Sequence, residues 1–341
     1  MVPPAGLGSA QGVLDAFDAQ FYLSQTGLGL DAFRAWLLGD DRPFFALVLL
    51  RSAHLPYGSG EPFVSPLDER VEAWLSPPAV QRPGASLRAE MAPAGDREAQ
   101  RMRQFLKVLS SDEQVKSSLH AAYDSGIANV DRFLGHLIDA LESTGKKDNT
   151  IVVVVGDHGE SLGEGRRLGH DNNLLDAVVQ VPLVWSDPEF TDQGSQRDMD
   201  VSVIDIMPTL LSRVDATVPV GLDGRDISKG FDKDGTMAPR PVRTQAAALP
   251  GMVQRRSVSA DTRLDEVVNS GNLRVMFSSG DGPKAQRRNN GSLVEVELES
   301  SAVQALIQWK QSADSDRRTG RAERVKLSDE AVRQLQAEGY W

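Results

Sequence analysis

The stretch Gly156-Asp157-His158-Gly159-Glu160 sets a carboxylate beside an imidazole. Such a pair offers one hard oxygen and one nitrogen ligand, a donor set suited to a divalent cation. The flanking glycines allow a sharp turn and the close approach of a ligand. Taken alone, the tetrapeptide also suits a plain turn in which Asp157 caps a following helix. Two further histidines have related surroundings. His54 lies in Ala53-His54-Leu55-Pro56-Tyr57, and His170 follows Gly169, twelve residues past His158. The remaining two, His120 and His136, fall inside a long helical pattern and read as ordinary helix residues.

The elements that must position these groups are legible from apolar periodicity. Residues 150–155 (Thr-Ile-Val-Val-Val-Val) form a continuous apolar run, the mark of a strand covered on both faces. Asp157 and His158 follow it directly, where parallel α/β sheets bind ligands. Residues 44–50 (Phe-Phe-Ala-Leu-Val-Leu-Leu) read as a second such strand just ahead of His54. Residues 182–185 read as a third. From 112 to 144, Val115, Leu119, Ala122, Ile127, Val130, Phe133, Leu134, Leu137 and Leu141 keep a spacing near 3.6 and predict one long helix. Gly145 and the Lys146-Lys147 pair suit its C-terminus. Helix followed by apolar strand predicts α/β construction with a mostly parallel, mixed sheet flanked by helices. A short helix is expected at 203–211, and short helices lie within 14–38. Residues 52–110 form a long, proline-bearing irregular excursion, and residues 1–13 read as loose.

From Arg240 onward, 16 Lys and Arg stand against 13 Asp and Glu, net +3, with −14 before that point. With strands expected at 272–277 and 293–298 and a helix at 302–309, this predicts a smaller α+β subdomain over 241–341, after a catalytic-type domain over 1–240. The mixed charges of 317–324 read as a solvated surface.

The 341 residues carry a net charge of −11 and are 40% hydrophobic and 25% charged. This is globular composition, and the acidic balance argues against nucleic-acid binding. Cysteine is absent, which removes disulfides, thiolate zinc sites and a cysteine nucleophile. No apolar run is long enough to span a bilayer, and the start lacks the basic and apolar regions of a signal peptide.

These motifs together resemble the sulfatase family of the alkaline-phosphatase-like superfamily. Residues 44–57 (FFALVLLRSAHLPY) are similar to its strand followed by His-x-Pro-Tyr. Residues 156–185 resemble its late metal-binding segment, and 201–214 with 222–227 (LDGRDI) resemble the segment that follows. The ending LSDEAVRQLQAEGYW resembles the helix and Gly-Tyr terminus of many bacterial members. The resemblance covers about 40–230 well. It implies that Asp157 and His158 are ligands of the active-site cation, calcium in most sulfatases. It implies that His54 contacts the sulfate or assists the leaving group, and that His170 lies on the substrate side of the same cleft. Tyr123 and Asp131, on the long helix, are expected to be structural. A small-molecule or glycan sulfate ester is the implied substrate, and the periplasm or secretion the implied location.

Two family essentials are not found. A carboxylate pair after the first strand and a C/S-x-P-x-R pattern, whose Cys or Ser becomes formylglycine, are expected ahead of the His-x-Pro-Tyr segment. Asp40-Asp41 precedes a strand and reads as loop. Ser76-Pro77-Pro78 lacks an arginine at position 80, which is Val80, and lies beyond His54. The chain thus reads as the C-terminal part of such a catalytic domain, expected to be inactive or nearly so by itself. Exposed sheet edge is expected to pair with a second copy or with an upstream segment.

Two rival readings remain. Phosphoethanolamine and phosphoglycerol transferases of the same superfamily share the DHGESLGE pattern and use zinc or manganese with a threonine nucleophile. The other rival is non-catalytic: a pseudoenzyme or a mis-started gene fragment.

Overall fold

The computed structural model describes residues 29–39, 41–55, 57, 67–75, 97–170, 173–190, 194–231, 235, 237, 240–247, 264–278, 282–289 and 292–319. The expectations for 1–13, for Asp40, for Ser76-Pro77-Pro78 and for the Gly-Tyr ending lie outside these residues. Two compact units form. The described part of the first spans 29–150 and 160–170, and that of the second 151–159 and 173–319.

The first unit is built on helices α1 (Leu30–Gly39), α2 (Glu69–Leu75), α3 (Arg97–Ser111) and α4 (Glu113–Ser143). α4 is the long helix expected over 112–144. Its start is set by Asp112, whose side chain accepts from the backbone N–H of Gln114 and Val115, satisfying donors a helix start leaves open. Its buried stripe is Val115, Leu119, Ala122, Ser125, Gly126, Asn129, Phe133, Leu137, Ala140 and Leu141. Ile127, expected inside, is exposed instead: it sits one position round from Gly126, and the stripe runs through 122, 126 and 129. α1 packs on α4 through Leu30, Phe33 and Leu37. Val71 and Trp74 of α2, Phe105 and Leu109 of α3, and Leu119 of α4 share one core with Leu162 and Leu168. There Trp74 stacks on Phe105 with centroids 4.6 Å apart. Leu162 and Leu168 lie on a small antiparallel ribbon, β2 (Ser161–Leu162) with β3 (Leu168–Gly169).

The strand expected at 44–50 does not form. These residues join no ladder among the described residues, and Phe45, Leu47 and Leu49 are 65%, 66% and 60% exposed. Apolar periodicity reports what a segment could bury, whereas a strand also needs a neighbour for its backbone groups.

In the second unit, β1 (Val152–Val155) pairs with β4 (Leu183–Ser186), Val152 opposite Ser186 and Val155 opposite Leu183. The pairing is antiparallel, as is every pairing among the described residues. This corrects the mostly parallel arrangement expected for these strands. Among the described residues between them, 156–170 and 173–182, there is no helical crossover of the length a parallel pair needs. Neither strand is fully buried, and Val184 is 59% exposed. Between them lies a single helical turn, α5 (Asp176–Val179).

α6 (Ile206–Arg213) follows a capping box made by Ser202 and Asp205. Asp205 is fully buried. It accepts from the backbone N–H of Arg225 at 2.9 Å and from the Arg240 guanidinium. The Thr209 hydroxyl accepts from Ile227 N–H. These bonds tie 201–214 to 222–227, the two segments the sequence comparison set side by side.

The remaining sheet is an antiparallel meander of β5 (Val242–Ala247), β6 (Leu264–Ser270), β7 (Leu273–Phe277), β8 (Lys284–Asn289) and β9 (Ser292–Val296), in that order. α7 (Ser301–Thr319) packs Val303 and Leu306 on Val268 and Val275. The α+β content expected here forms, but within the same unit as β1 and β4 rather than as a unit of its own beginning at 241. β5, β6 and β8 were not foreseen, because their polar alternation belongs to strands with one wet face. No helix among the described residues is long and apolar enough to cross a membrane.

Candidate functional site

Asp157 and His158 stand in the loop that leaves β1. The loop is pinned at both ends by the segment before β4. Gly156 N–H donates to Pro182 C=O at 3.1 Å, and Gly159 N–H donates to Val178 C=O at 2.7 Å. Gly159 has to be glycine, since a Cβ there would stand 2.0 Å from the Ala177 carbonyl oxygen. No helix follows Asp157, so the plain helix-cap reading fails. Its carboxylate instead accepts from the His158 backbone N–H at 3.0 Å.

The imidazole is oriented as a ligand needs to be. His158 Nδ1 lies 2.8 Å from the Gly159 carbonyl oxygen. A carbonyl only accepts, so in the neutral ring the proton sits on Nδ1 and the lone pair on Nε2. Nε2 lies 3.8 Å from Asp157 Oδ1. One nitrogen lone pair and a 61% exposed carboxylate thus lie side by side, which fits a divalent cation. Two side chains fill only part of such a shell, and no group of three or more ligand-type residues stands together among the described residues.

His54 and His170 come together in the first unit, ring centroids 5.3 Å apart and edge to face. His54 Nδ1 lies 2.8 Å from the Leu55 carbonyl oxygen, which again leaves the lone pair on Nε2 in the neutral ring. Burial lowers the His54 pKa; the Leu55 carbonyl opposes this and His170 reinforces it. The ring is therefore held toward its neutral form.

Glu160 completes this group, and the sequence reading assigned it no role. Its side chain is 3% exposed and Oε1 lies 3.4 Å from His170 Nδ1. The buried Tyr57 faces the same carboxylate: burial first, then the charge of Glu160, drives the phenol pKa well above its usual range. Tyr57 also meets Tyr123 edge to face at 5.4 Å. The signal for Glu160 was a carboxylate running straight into the buried strand β2, where no isolated charge is tolerated. Asp131 is exposed on α4, and Asp41 makes a surface pair with Lys146 at 3.7 Å. The four residues singled out by sequence thus form two local pairs, Asp157 with His158 in one unit and His54 with His170 in the other.

A family model described as Sulfatase matches residues 22–216, more than half of the chain, starting earlier than the motifs near 40 and stopping short of the C-terminal sheet. The chain is similar to an ulvan-active sulfatase of Formosa agariphila, 25% identical over 193 residues, covering 56% of this chain and 32% of that protein. It is similar to arylsulfatase K of Canis lupus familiaris, 30% identical over 189 residues, covering 54% and 34%. The matches therefore span about a third of these relatives. Among solved structures, the phosphonate monoester hydrolase of Agrobacterium radiobacter superposes with a TM-score of 0.59 at 21% identity, covering 87% of this chain and 62% of that one. This shows a shared alkaline-phosphatase-like α/β fold.

Proposed function

Because the chain belongs to the sulfatase family, we propose that it supplies the cation-binding and imidazole-bearing parts of a sulfuric ester hydrolase. The observation that carries this is the arrangement at Asp157 and His158, where Gly159 C=O holds the imidazole with its lone pair beside the carboxylate. These two residues would hold the cation, which the resemblance makes calcium, and when bound it would polarise the sulfuryl oxygens of the substrate. A glycan sulfate ester is the favoured substrate class, supported by the likeness to an ulvan-active sulfatase.

The chemistry left to the protein is orientation and proton transfer. Hydrolysis forms a new S–O bond between the sulfuryl group and water, breaks the ester S–O bond and leaves an alkoxide that needs a proton. His170, whose Nδ1 faces the buried Glu160 carboxylate at 3.4 Å, is the imidazole that would give the alkoxide its proton. His54, held toward the neutral form, donates through Nδ1 to the Leu55 carbonyl, which leaves Nε2 as the acceptor nitrogen. The 341 residues contain no cysteine and no C/S-x-P-x-R pattern to supply a covalent nucleophile. The proposal is accordingly that these residues bind the cation without turning over a sulfate ester by themselves.

The test is calorimetric titration of the purified chain with calcium, beside an aryl sulfate assay. Calcium binding lost in Asp157→Ala, with no turnover, is the expected result. Calcium-dependent turnover abolished by Asp157→Ala would overturn the inactivity, and calcium binding indifferent to Asp157→Ala would overturn the cation site. Preference for zinc or manganese over calcium would favour the phosphoester-transferase reading.

A further inference from the structure

The C-terminal sheet reaches the cation loop through one carboxylate. Asp176 opens α5, the single turn between His170 and β4. Its Oδ1 accepts from Arg274 Nη1, and Arg274 Nη2 donates to the Leu174 carbonyl. Its Oδ2 accepts from Arg288 Nε at 3.0 Å and Nη2 at 2.8 Å. Arg274 lies on β7 and Arg288 on β8, and their side chains are 3% and 26% exposed. The Arg274 side chain is thus almost dry, and a buried guanidinium needs its counter-ion. Two residues past Asp176, Val178 presents the carbonyl that receives the Gly159 N–H, and Gly159 presents the carbonyl that receives His158 Nδ1. The series Arg274 and Arg288, Asp176, Val178, Gly159, His158 is continuous and lies within one unit.

We propose that Asp176 is a positioning residue: clamped by Arg274 and Arg288, it fixes the α5 turn that holds the Asp157–His158 loop in its ligand geometry. The C-terminal sheet thereby acts on the cation site without touching the cation. Outer partners of ligands commonly tune metal affinity, because they decide where the lone pairs point. A free one-turn helix would not hold the Val178 carbonyl in place, since a single turn is unstable alone. The inference rests on Asp157 and His158 being cation ligands.

The experiment uses the full chain with calcium as the probe and two measurements. Amide hydrogen exchange at Gly159 reads the hold of Val178 on the loop, and calorimetric titration reads the ligand geometry. Asp176→Asn should speed Gly159 exchange about tenfold and weaken calcium binding about tenfold. Arg288→Gln, which leaves the Arg274 bonds in place, should move both in the same direction by less. It decides the matter should Asp176→Asn fail to fold. Asp176→Glu, which keeps the charge, should recover most of the affinity. Unchanged exchange in folded Asp176→Asn and Arg288→Gln overturns the clamp. Faster exchange with unchanged calcium affinity, while Asp157→Ala abolishes binding, overturns the positioning role. If Asp157→Ala binds calcium like the parent, the ligand reading itself has failed, and Gly159 exchange still judges the clamp.

Discussion

The backbone of Gly126 lies against the carbonyl of Ser52: a Cβ at Gly126 would stand 2.4 Å from that oxygen and 3.0 Å from Ala53 Cα. A glycine in the middle of α4, unfavourable for the helix by itself, thus opens the space through which the chain passes immediately before His54. Gly126→Ala forces either the helix or the 51–54 turn to move. We expect a loss of about 1–3 kcal/mol in denaturant unfolding, with a changed His54 imidazole resonance. Unaltered stability and an unaltered resonance would show that the close approach does not position His54.

The His54 pKa lies below its ordinary 6.5, with burial the leading cause and His170 adding to it. The sign follows from proton counting. Between the folded and the ordinary value the unfolded chain binds more protons, so stability rises with pH across that window. The contribution is complete above pH 6.5 and declines as pH falls below it. An NMR titration of His54 with a midpoint below 6.5 is expected. Glu160→Gln removes a charge that raises this pKa, and should lower the midpoint further. A midpoint above 6.5 in the parent contradicts the burial argument.

Glu266 on β6 accepts from Arg243 at 2.6 Å and Gln245 at 2.6 Å, and pairs with Lys310 of α7 at 3.0 Å. Burial alone would raise its pKa, but these partners outweigh burial and hold it below the ordinary 4.5. Its stabilising contribution is therefore present above pH 4.5 and fades as pH falls further. Glu266→Ala leaves the largely buried Arg243 guanidinium without this carboxylate and should cost about 3 kcal/mol at neutral pH. Glu266→Gln should cost less. In acid the difference between variant and parent should narrow, which urea melts at pH 7 and pH 3 will show.

Leu119 is fully buried in the core shared by α2, α3 and α4. Leu119→Ala should destabilise the first unit by about 3 kcal/mol through lost burial and the cavity left behind. Its exposed helix neighbour Ile127 gives the control, since Ile127→Ala should cost under about 1 kcal/mol. Equal losses would mean that α4 does not pack with this face inward.

Much of this protein is written locally. The long helix over 112–144, with Asp112 at its start, follows from apolar spacing and one capping side chain, both properties of neighbouring residues. The Asp157–His158 pair and its place after an apolar strand were legible for the same reason, since adjacent ligands need no tertiary structure to become neighbours. The approach of His54 to His170, with Glu160 between burial and charge, required the fold. So did the antiparallel pairing of Val152–Val155 with Leu183–Ser186, the unladdered exposure of Phe45, Leu47 and Leu49, and the grip of Arg274 and Arg288 on Asp176. Where partners meet, they lie far apart along the chain, and for 44–50 the sequence could not show that no ladder partner stands beside it among the described residues. Apolar spacing states that a surface is to be covered, and only packing decides which distant group covers it.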